Sequence, residues 1–353
     1  MGVGTDSDGQ AWCQFKSVTV RVSFRRPARP WTGPRTIRNL ISPFAPARHV
    51  RLRQCRRGYR CMEFVMTFGF GQYTYEVAEG WFKPPNGWTF GWIAAVACDS
   101  QDRVHVYSRS EHPMVVFDRE GNFLASWGED VLQDAHGIWI DGEDQVWCTE
   151  RNTHCVRKFS PAGELLMTIG TPGQAGAEDG VPFNLPTDLD LAPNGDIYIS
   201  DGYGNARVHH YSPAGELLNS WGDWGKGPGQ FALSHCVRID RYSRVWICDR
   251  ENSRIQIFDL QGKFLTEWTD LAKPDTIYFH PEEDVVYIAE LDQQISIYNF
   301  DKELLSQWGG RQRSDRPGEF VACPHGIWVD SHGDMYVGEV QADSRLQKFI
   351  RQN

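Results

Sequence analysis

Residues 155–170 read Cys-Val-Arg-Lys-Phe-Ser-Pro-Ala-Gly-Glu-Leu-Leu-Met-Thr-Ile-Gly, and residues 207–222 read Arg-Val-His-His-Tyr-Ser-Pro-Ala-Gly-Glu-Leu-Leu-Asn-Ser-Trp-Gly. Weaker copies of this pattern start at Arg103, Arg244, Val285 and Asp334. The pattern therefore occurs six times, with a period of roughly 40 to 50 residues that is typical of propellers and solenoids.

Each repeat has the composition of short β-strands joined by tight turns. Apolar residues alternate with polar ones, Val, Ile, Tyr, Phe and Trp are frequent, and Pro-Asn-Gly or Pro-Ala-Gly separates the apolar runs. This predicts about four strands per repeat, the last ending at a Trp-Gly pair. Because one such sheet cannot bury both of its faces alone, we expect an all-β, six-bladed β-propeller.

The two ends of the repeat array complement each other. The last repeat stops at residues 348–350, after its third predicted strand, whereas residues 73–81 read as a fourth strand without a repeat of its own. We predict that this N-terminal strand completes the last blade and closes the ring, which removes an exposed sheet edge.

Charge divides the chain into two segments. Residues 1–61 contain 12 Arg and 1 Lys against 2 Asp, a net charge of +11, whereas the whole chain carries −10 and the remainder therefore −21. This shift predicts a disordered basic leader over 1–61 and a propeller over 62–353. Three interpretations of the leader stay open: a basic arm for nucleic acid or membrane, a targeting peptide, or sequence upstream of a true start at Met62.

Composition narrows the class of protein. No apolar run reaches the ~18 residues of a membrane span, so we expect a soluble, monomeric protein. The acidic propeller disfavours nucleic acid and anionic membranes as partners. The cysteines of the repeats form no CxxC pair and read as core residues, which favours the reducing cytoplasm; they are Cys98, Cys148, Cys236, Cys248 and Cys323.

One position of the repeat carries histidine in alternate units. Aligned five residues before the end of each predicted inner strand, this axial slot holds Ala94, His136, Thr187, His235, Asp275 and His325. Alternate blades of a six-bladed ring lie about 120° apart, so the three histidines should meet on the central axis, as a three-histidine metal site requires. The plain alternative is that each histidine opens a strand and donates to a neighbouring carbonyl group.

Imidazole ligands favour Zn²⁺ with an open fourth position, although Fe²⁺, Co²⁺ or Mn²⁺ also suit such a site. A structural Ca²⁺ is a further candidate cofactor. Asp275 is the acidic residue of the slot, and three interpretations of it stay open. It could accept a hydrogen bond from a metal-binding histidine, bind a cation itself, or form hydrogen bonds with the first residues of the inner strands.

Two further motifs give the chain a specific resemblance. Residues 200–207 read Ser-Asp-Gly-Tyr-Gly-Asn-Ala-Arg, and residues 106–109 read Val-Tyr-Ser-Arg. Together with the three spaced histidines, they resemble the six-bladed, NHL-type propeller of the peptidyl-α-hydroxyglycine α-amidating lyases, also called peptidylamidoglycolate lyases. The resemblance covers about residues 72 to 350.

The resemblance implies a set of roles. It makes zinc ligands of His136, His235 and His325, a catalytic base of Tyr203 and a substrate-binding, polarising group of Arg109. The implied reaction is carbon–nitrogen cleavage of an α-hydroxyglycine-type carbinolamide, on a small molecule or a peptide, to a primary amide and glyoxylate. From the residues alone, Tyr203 could also pack on Asn205, and Arg109 could be a salt-bridge former.

The chain also departs from the family pattern. Gly204 stands where the family has Cys, Gly326 where it has Asp and Cys323 where it has Met. Two other arginines, Arg151 and Arg250, follow strands in the same way as Arg109, and we expect them to pair with Glu150 and Asp249.

Two other functions compete with a lyase. One is a non-catalytic NHL propeller that acts as an interaction module through its loops. The other is a propeller hydrolase of the lactonase or esterase kind, although Ca²⁺ prefers oxygen ligands and the slot here carries three histidines.

Overall fold

A computed structural model describes residues 2–5, 11–15, 18–21, 47–54 and 60–352, except 177–182, 311 and 342–344. The chain divides into two compact units, Met1–Ser42 and Pro43–Asn353. The first unit contains the antiparallel strands β1 (Gly2–Thr5), β2 (Ala11–Phe15) and β3 (Val18–Arg21). The predicted disorder of residues 1–61 and the predicted boundary after residue 61 stay predictions.

The second unit contains five complete blades, each an antiparallel sheet of four strands in chain order. Blade 1 comprises β7 (Ile93–Cys98), β8 (Val104–Ser108), β9 (Met114–Phe117) and β10 (Phe123–Trp127). Blade 2 comprises β11 (Ala135–Ile140), β12 (Val146–Glu150), β13 (Cys155–Phe159) and β14 (Leu165–Gly170). Blade 3 comprises β15 (Asp188–Leu191), β16 (Ile197–Asp201), β17 (Arg207–Tyr211) and β18 (Leu217–Trp221). Blade 4 comprises β19 (Ser234–Ile239), β20 (Val245–Asp249), β21 (Arg254–Phe258) and β22 (Phe264–Trp268), and blade 5 comprises β23 (Pro274–Phe279), β24 (Val285–Glu290), β25 (Gln294–Asn299) and β26 (Leu304–Gly309).

The sixth blade joins the two ends of the propeller. Its strands β27 (Cys323–Val329), β28 (Met335–Val340) and β29 (Leu346–Gln352) are followed in the sheet by the N-terminal strand β6 (Tyr73–Val77). The six-bladed propeller and its closure by an N-terminal strand are therefore confirmed. Two further strands, β5 (Arg60–Phe70) and β4 (Ala47–Gln54), extend this sheet to six.

Burial follows strand position within each blade. In blade 1 every residue of β7, β8 and β9 is buried, whereas the outer strand β10 is exposed over its first three residues. The inner strands are thus packed on both faces, which holds the residues next to the central axis in fixed positions. Within the described ranges the one helical element is a 3₁₀ turn at Arg250–Asn252, and no helix there is long and apolar enough to cross a membrane.

A β-bulge marks the axial slot in five of the blades. Between the first two strands, the register shifts around Ala94, His136, His235, Asp275 and His325, each the second or third residue of its inner strand. A bulge leaves a residue out of the ladder and re-aims its side chain. This device turns the slot residues away from the regular alternation of the sheet.

Candidate metal centre on the propeller axis

The three slot histidines meet on the axis, as the repeat predicts. Their ring centroids are 4.9, 5.0 and 4.9 Å apart in the three pairs. One nitrogen from each ring lies within 4.8 Å of the others, and all three side chains are buried. The triangle is nearly equilateral because the histidines come from alternate blades of a six-fold ring.

Each histidine is held by the slot residue of the next blade. The Nδ1 atoms of His136, His235 and His325 lie 2.6, 2.9 and 2.6 Å from the backbone carbonyl oxygens of Thr187, Asp275 and Ala94, respectively. A carbonyl oxygen only accepts, so Nδ1 carries the proton and donates it. In the neutral ring, Nε2 then keeps its lone pair for a ligand, the arrangement found for metal-binding histidines.

The electrostatics of the cluster favour neutral rings. Burial lowers the pKa of all three histidines, and the positive charge of nearby arginines acts in the same direction. Three buried, neutral imidazoles whose Nδ1 atoms are already bonded fit a divalent metal ion such as Zn²⁺. This group could hold a metal ion, and it is the one cluster of three or more His, Cys, Asp or Glu side chains with that geometry in the described part of the chain.

Tyr203 reaches into this cluster from the loop between β16 and β17. Its hydroxyl oxygen lies 3.3 Å from Nε2 of His136 and 3.3 Å from Nε2 of His235. The Asn205 amide donates to Asp201 at 2.7 Å, and the alternative role of Tyr203, packing on Asn205, stays a prediction. The hydroxyl is therefore positioned beside any ligand that the three rings would share.

Three arginines lie near His136 and Tyr203. Arg109 donates to the carbonyl oxygen of Ala135 at 2.9 Å, next to His136 in sequence, and lies 3.2 Å from Asp134. The guanidinium carbons of Arg151 and Arg250 lie 5.4 and 5.8 Å from the centre of the Tyr203 ring. Two cations thus lie within 6 Å of the centre of the tyrosine ring, which favours anions at the same place.

The ion-pair partners predicted for Arg151 and Arg250, which were Glu150 and Asp249, were wrong. Arg151 pairs with Asp134 at 3.1 Å, and Arg250 pairs with Asp275 and Glu251. Glu150 is bound by Arg157 instead, and Asp249 by Arg254. Arg157 and Arg254 belong to the neighbouring strands β13 and β21, so each carboxylate is occupied by an arginine of its own blade.

Asp275 is a buried carboxylate at the level of the histidines. Its Oδ1 accepts a hydrogen bond from Arg250 at 3.0 Å and lies 3.4 Å from Nδ1 of His235. Its Oδ2 lies 3.5 Å from Nε2 of His325 and has no hydrogen-bond donor. The side chain thus lies between two of the three histidines and is fully shielded from solvent.

A buried ion pair, Arg238 with Asp188, lies close to the three histidines. Arg238 donates to Oδ2 of Asp188 at 2.5 Å and to the carbonyl oxygens of Leu189 and Val237. The pair and the three histidines line the same cavity of about 10 Å³, which is at the lower limit of the space that one water molecule needs. The carboxylates near the axis therefore face guanidinium groups, and the described residues offer no acidic cluster suited to the structural Ca²⁺ considered from the sequence.

Close packing explains two departures from the family pattern. A Cβ at Gly204 would lie 2.2 Å from Cγ of Asn184, so the family's cysteine has no room there. A Cβ at Gly326 would lie 2.7 Å from Cα of Ala95 on the neighbouring inner strand. Both sites need glycine because another chain segment passes too closely for a side chain.

Comparisons with known proteins agree with this architecture. The NHL repeat family model matches residues 183–211. Human NHL repeat-containing protein 3 is 33% identical over 317 residues, which cover 83% of this chain and 89% of that protein. The chain belongs to the NHL-repeat family. Peptidyl-alpha-hydroxyglycine alpha-amidating lyase 1 of Drosophila melanogaster is 27% identical over 336 residues, which cover 79% of this chain and 60% of that protein.

A solved structure supports the same fold for this NHL-repeat protein. A gluconolactonase from Xanthomonas campestris superposes with a TM-score of 0.57 over 80% of this chain and 91% of the other, at 11% sequence identity. At that identity the likeness shows the propeller fold and nothing about the reaction.

Proposed function

We propose that this protein is a metal-dependent, zinc-loaded carbon–nitrogen lyase that cleaves an α-hydroxyglycine-type carbinolamide to a primary amide and glyoxylate. The observation that carries the proposal is the position of the Tyr203 hydroxyl, 3.3 Å from Nε2 of both His136 and His235. A tyrosine packed only for stability has no reason to place its hydroxyl between two metal-ligand nitrogens. The similarity to an amidating lyase of the fly supports the same reaction class.

The roles of the side chains follow from their positions. His136, His235 and His325 would hold the ion, whose chemistry when bound is to act as a Lewis acid that acidifies a hydroxyl group. Tyr203 would accept the hydroxyl proton, helped by the cations of Arg151 and Arg250 near its ring.

Arg109 would bind the carboxylate of the substrate. Its Nε is bonded to the backbone beside His136, which fixes its orientation, and among the described residues no hydrogen bond holds its terminal nitrogens. Burial lowers the pKa of Arg109, and Asp134 opposes that shift by stabilising the charged form. A planar guanidinium can bind a carboxylate with two parallel hydrogen bonds, which would orient the carbon that carries the hydroxyl.

The reaction balances without an external reagent. The O–H bond of the carbinol breaks, its electron pair forms the carbonyl of glyoxylate, and the carbon–nitrogen bond breaks with its pair moving to nitrogen. The proton removed by Tyr203 ends on that nitrogen, which completes the primary amide. One residue thus serves as base and then as acid.

An interaction module is the second candidate function, because the relative from human is named only for its repeats. The hydrolase alternative has less support, because Ca²⁺ requires oxygen ligands and the axis here presents imidazoles. A monomeric state, a small-molecule or peptide substrate, the absence of nucleic-acid and membrane partners and a cytoplasmic location stay proposals.

The test is glyoxylate release from an N-acyl-α-hydroxyglycine by the full chain. We expect Tyr203→Phe to keep its metal and to lower kcat by about 10²- to 10⁴-fold, because the transfer of one proton is lost. Tyr242→Phe is the matched control, since Tyr242 is an exposed tyrosine in the turn between β19 and β20, at the end of β19 opposite to His235. Equal activity in Tyr203→Phe and wild type, or no glyoxylate from any of the three proteins, would overturn the proposed reaction.

A further inference from the structure

Trp92 is an exposed tryptophan next to Arg109. It immediately precedes the inner strand β7, whose residues are all buried, yet 41% of Trp92 is exposed to solvent. Trp88 and Phe90 of the same segment are partly buried and pack against the hydrophobic core. Burial of apolar surface therefore accounts for those two aromatic residues better than for Trp92.

The indole of Trp92 contacts a cation. The guanidinium carbon of Arg109 lies over the indole ring, 4.9 Å from its centre. Among the described residues, no other cation or aromatic ring lies against this indole. The negative face of the ring attracts the guanidinium group, so the contact restrains Arg109 as well as Trp92.

The backbone also holds Trp92 against Arg109. The N–H of Arg109 donates to the carbonyl oxygen of Trp92 at 2.9 Å, just beyond the paired residues Ile93 and Ser108 of β7 and β8. A Cβ at Gly91 would lie 2.0 Å from the carbonyl oxygen of Arg109, so the close approach of the two segments requires glycine there. The position of the indole is thus set by the sheet and not by a loose loop.

The contacts of Arg109 restrain different parts of its side chain. Its polar contacts, with the carbonyl oxygen of Ala135 at 2.9 Å and with Asp134 at 3.2 Å, are both made by Nε and fix the direction of the side chain. The indole instead lies against the guanidinium carbon, which carries the two terminal nitrogens. A contact at this carbon limits the tilt of the guanidinium plane.

A guanidinium group binds a carboxylate through two parallel hydrogen bonds only when its plane is correctly oriented. We propose that Trp92 is a positioning residue, which holds the plane of the Arg109 guanidinium so that its terminal nitrogens meet the carboxylate of the substrate. This inference rests on the carboxylate-binding role of Arg109 in the proposed function and gives Trp92 no step in the chemistry.

The test is binding of N-acetylglycine to the full chain, measured by NMR titration. This probe has the carboxylate and amide of the proposed substrate, lacks the hydroxyl that would react, and has no ring that could stack on the indole itself. We expect Trp92→Leu to weaken binding by about 5- to 30-fold, as for a cation–π contact with a partly buried arginine. Trp224→Leu is the matched control, since Trp224 is 49% exposed and should be replaced without loss of binding.

A second variant separates positioning from packing. Trp92→Phe keeps an aromatic face, so its affinity should stay within about threefold of wild type, whereas a role in packing alone would make Trp92→Phe and Trp92→Leu behave alike. In the glyoxylate assay, Trp92→Leu should raise KM and leave kcat nearly unchanged, because the carboxylate is bound in both the ground state and the transition state.

The outcomes distinguish this role from the proposed reaction. Equal binding by Trp92→Leu and wild type, or equal losses in Trp92→Leu and Trp92→Phe, would overturn the positioning role. No binding of N-acetylglycine by wild type would overturn the carboxylate role of Arg109 on which it rests. The expected differences in binding without release of glyoxylate would support the positioning role and overturn the reaction alone.

Discussion

The buried ion pair of Arg238 and Asp188 gives a direct prediction about the stability of the propeller. Arg238→Met should destabilise the propeller, because it leaves Asp188 without its guanidinium partner in a site where both side chains are only 5% and 6% exposed. Asp190, also buried, stands beside the same cation. Methionine fills much of the same volume, so the loss of charge dominates the change.

The magnitude follows from the burial of the pair. Removing one partner of a buried ion pair costs about 3–5 kcal/mol, because the other charge stays buried without compensation. In a domain of this size, a loss of about 1 kcal/mol in the free energy of unfolding lowers Tm by about 2–4 °C. The Tm of Arg238→Met should therefore fall by about 10 °C. Urea unfolding followed by circular dichroism measures the same loss as a lower midpoint with an unchanged slope.

The loss of stability in Arg238→Met should grow as pH rises. Burial raises the pKa of Asp188 and raises that of Asp190 to about 7, and Arg238 opposes both shifts. Without Arg238 these pKa values rise further, so the folded state binds more protons than the unfolded chain and the variant loses stability as pH rises. The difference from wild type should therefore be larger at pH 8 than at pH 5.

The double variant Arg238→Met with Asp188→Asn is the control, because it removes the charge that was left unpaired, and it should recover part of the stability. A loss below about 1 kcal/mol at pH 8, or a loss that grows toward acid, would refute this account of the pair.

Two further predictions concern metal and acid. Zn²⁺ at 100 times its Kd should stabilise the protein by about 2.7 kcal/mol and raise Tm by about 5–10 °C, because the ion binds only the folded chain, in which the three histidines meet. His235→Ala should lose this effect, whereas His112→Ala, at a half-buried histidine of blade 1, should keep it. The result would be contradicted by equal Zn²⁺-dependent shifts in both variants. Burial opposes ionisation of Asp99, but hydrogen bonds from His105 and Arg103 outweigh it and lower the pKa to about 2. Asp99 should thus contribute up to about 2 kcal/mol above pH 4, lost as pH falls toward 2; acid unfolding of Asp99→Asn should show the deficit only above that window, and a deficit that persists at pH 2 would exclude this origin.

Much of the fold could be predicted from the repeat, because strand periodicity and the Trp-Gly ends are local signals. The axial slot could be found in the same way, since equivalent positions of a closed ring share one distance from its axis. Tyr203 needed its surrounding motif, because one tyrosine in a loop carries no signal of its own.

The hydrogen-bond partners of individual side chains from other blades could not be predicted. Nδ1 of His325 bonds to Ala94, which is 231 residues away, and Arg238 bonds to Asp188, which is 50 residues away. The order of the blades follows from the repeat, but these contacts also depend on the bulges that re-aim the side chains, which leave no mark in sequence spacing. For the same reason, Arg151 and Arg250 were assigned to sequence neighbours and found elsewhere.

The central claim is that three histidines from alternate blades hold one catalytic metal ion. Elemental analysis of the purified full chain, beside His235→Ala and His112→Ala and followed by the glyoxylate assay, tests it most directly. We predict about one zinc per chain and glyoxylate release in wild type and His112→Ala, with both lost in His235→Ala. No stoichiometric metal in wild type, or equal metal and activity in His235→Ala, would contradict the claim and favour an interaction module.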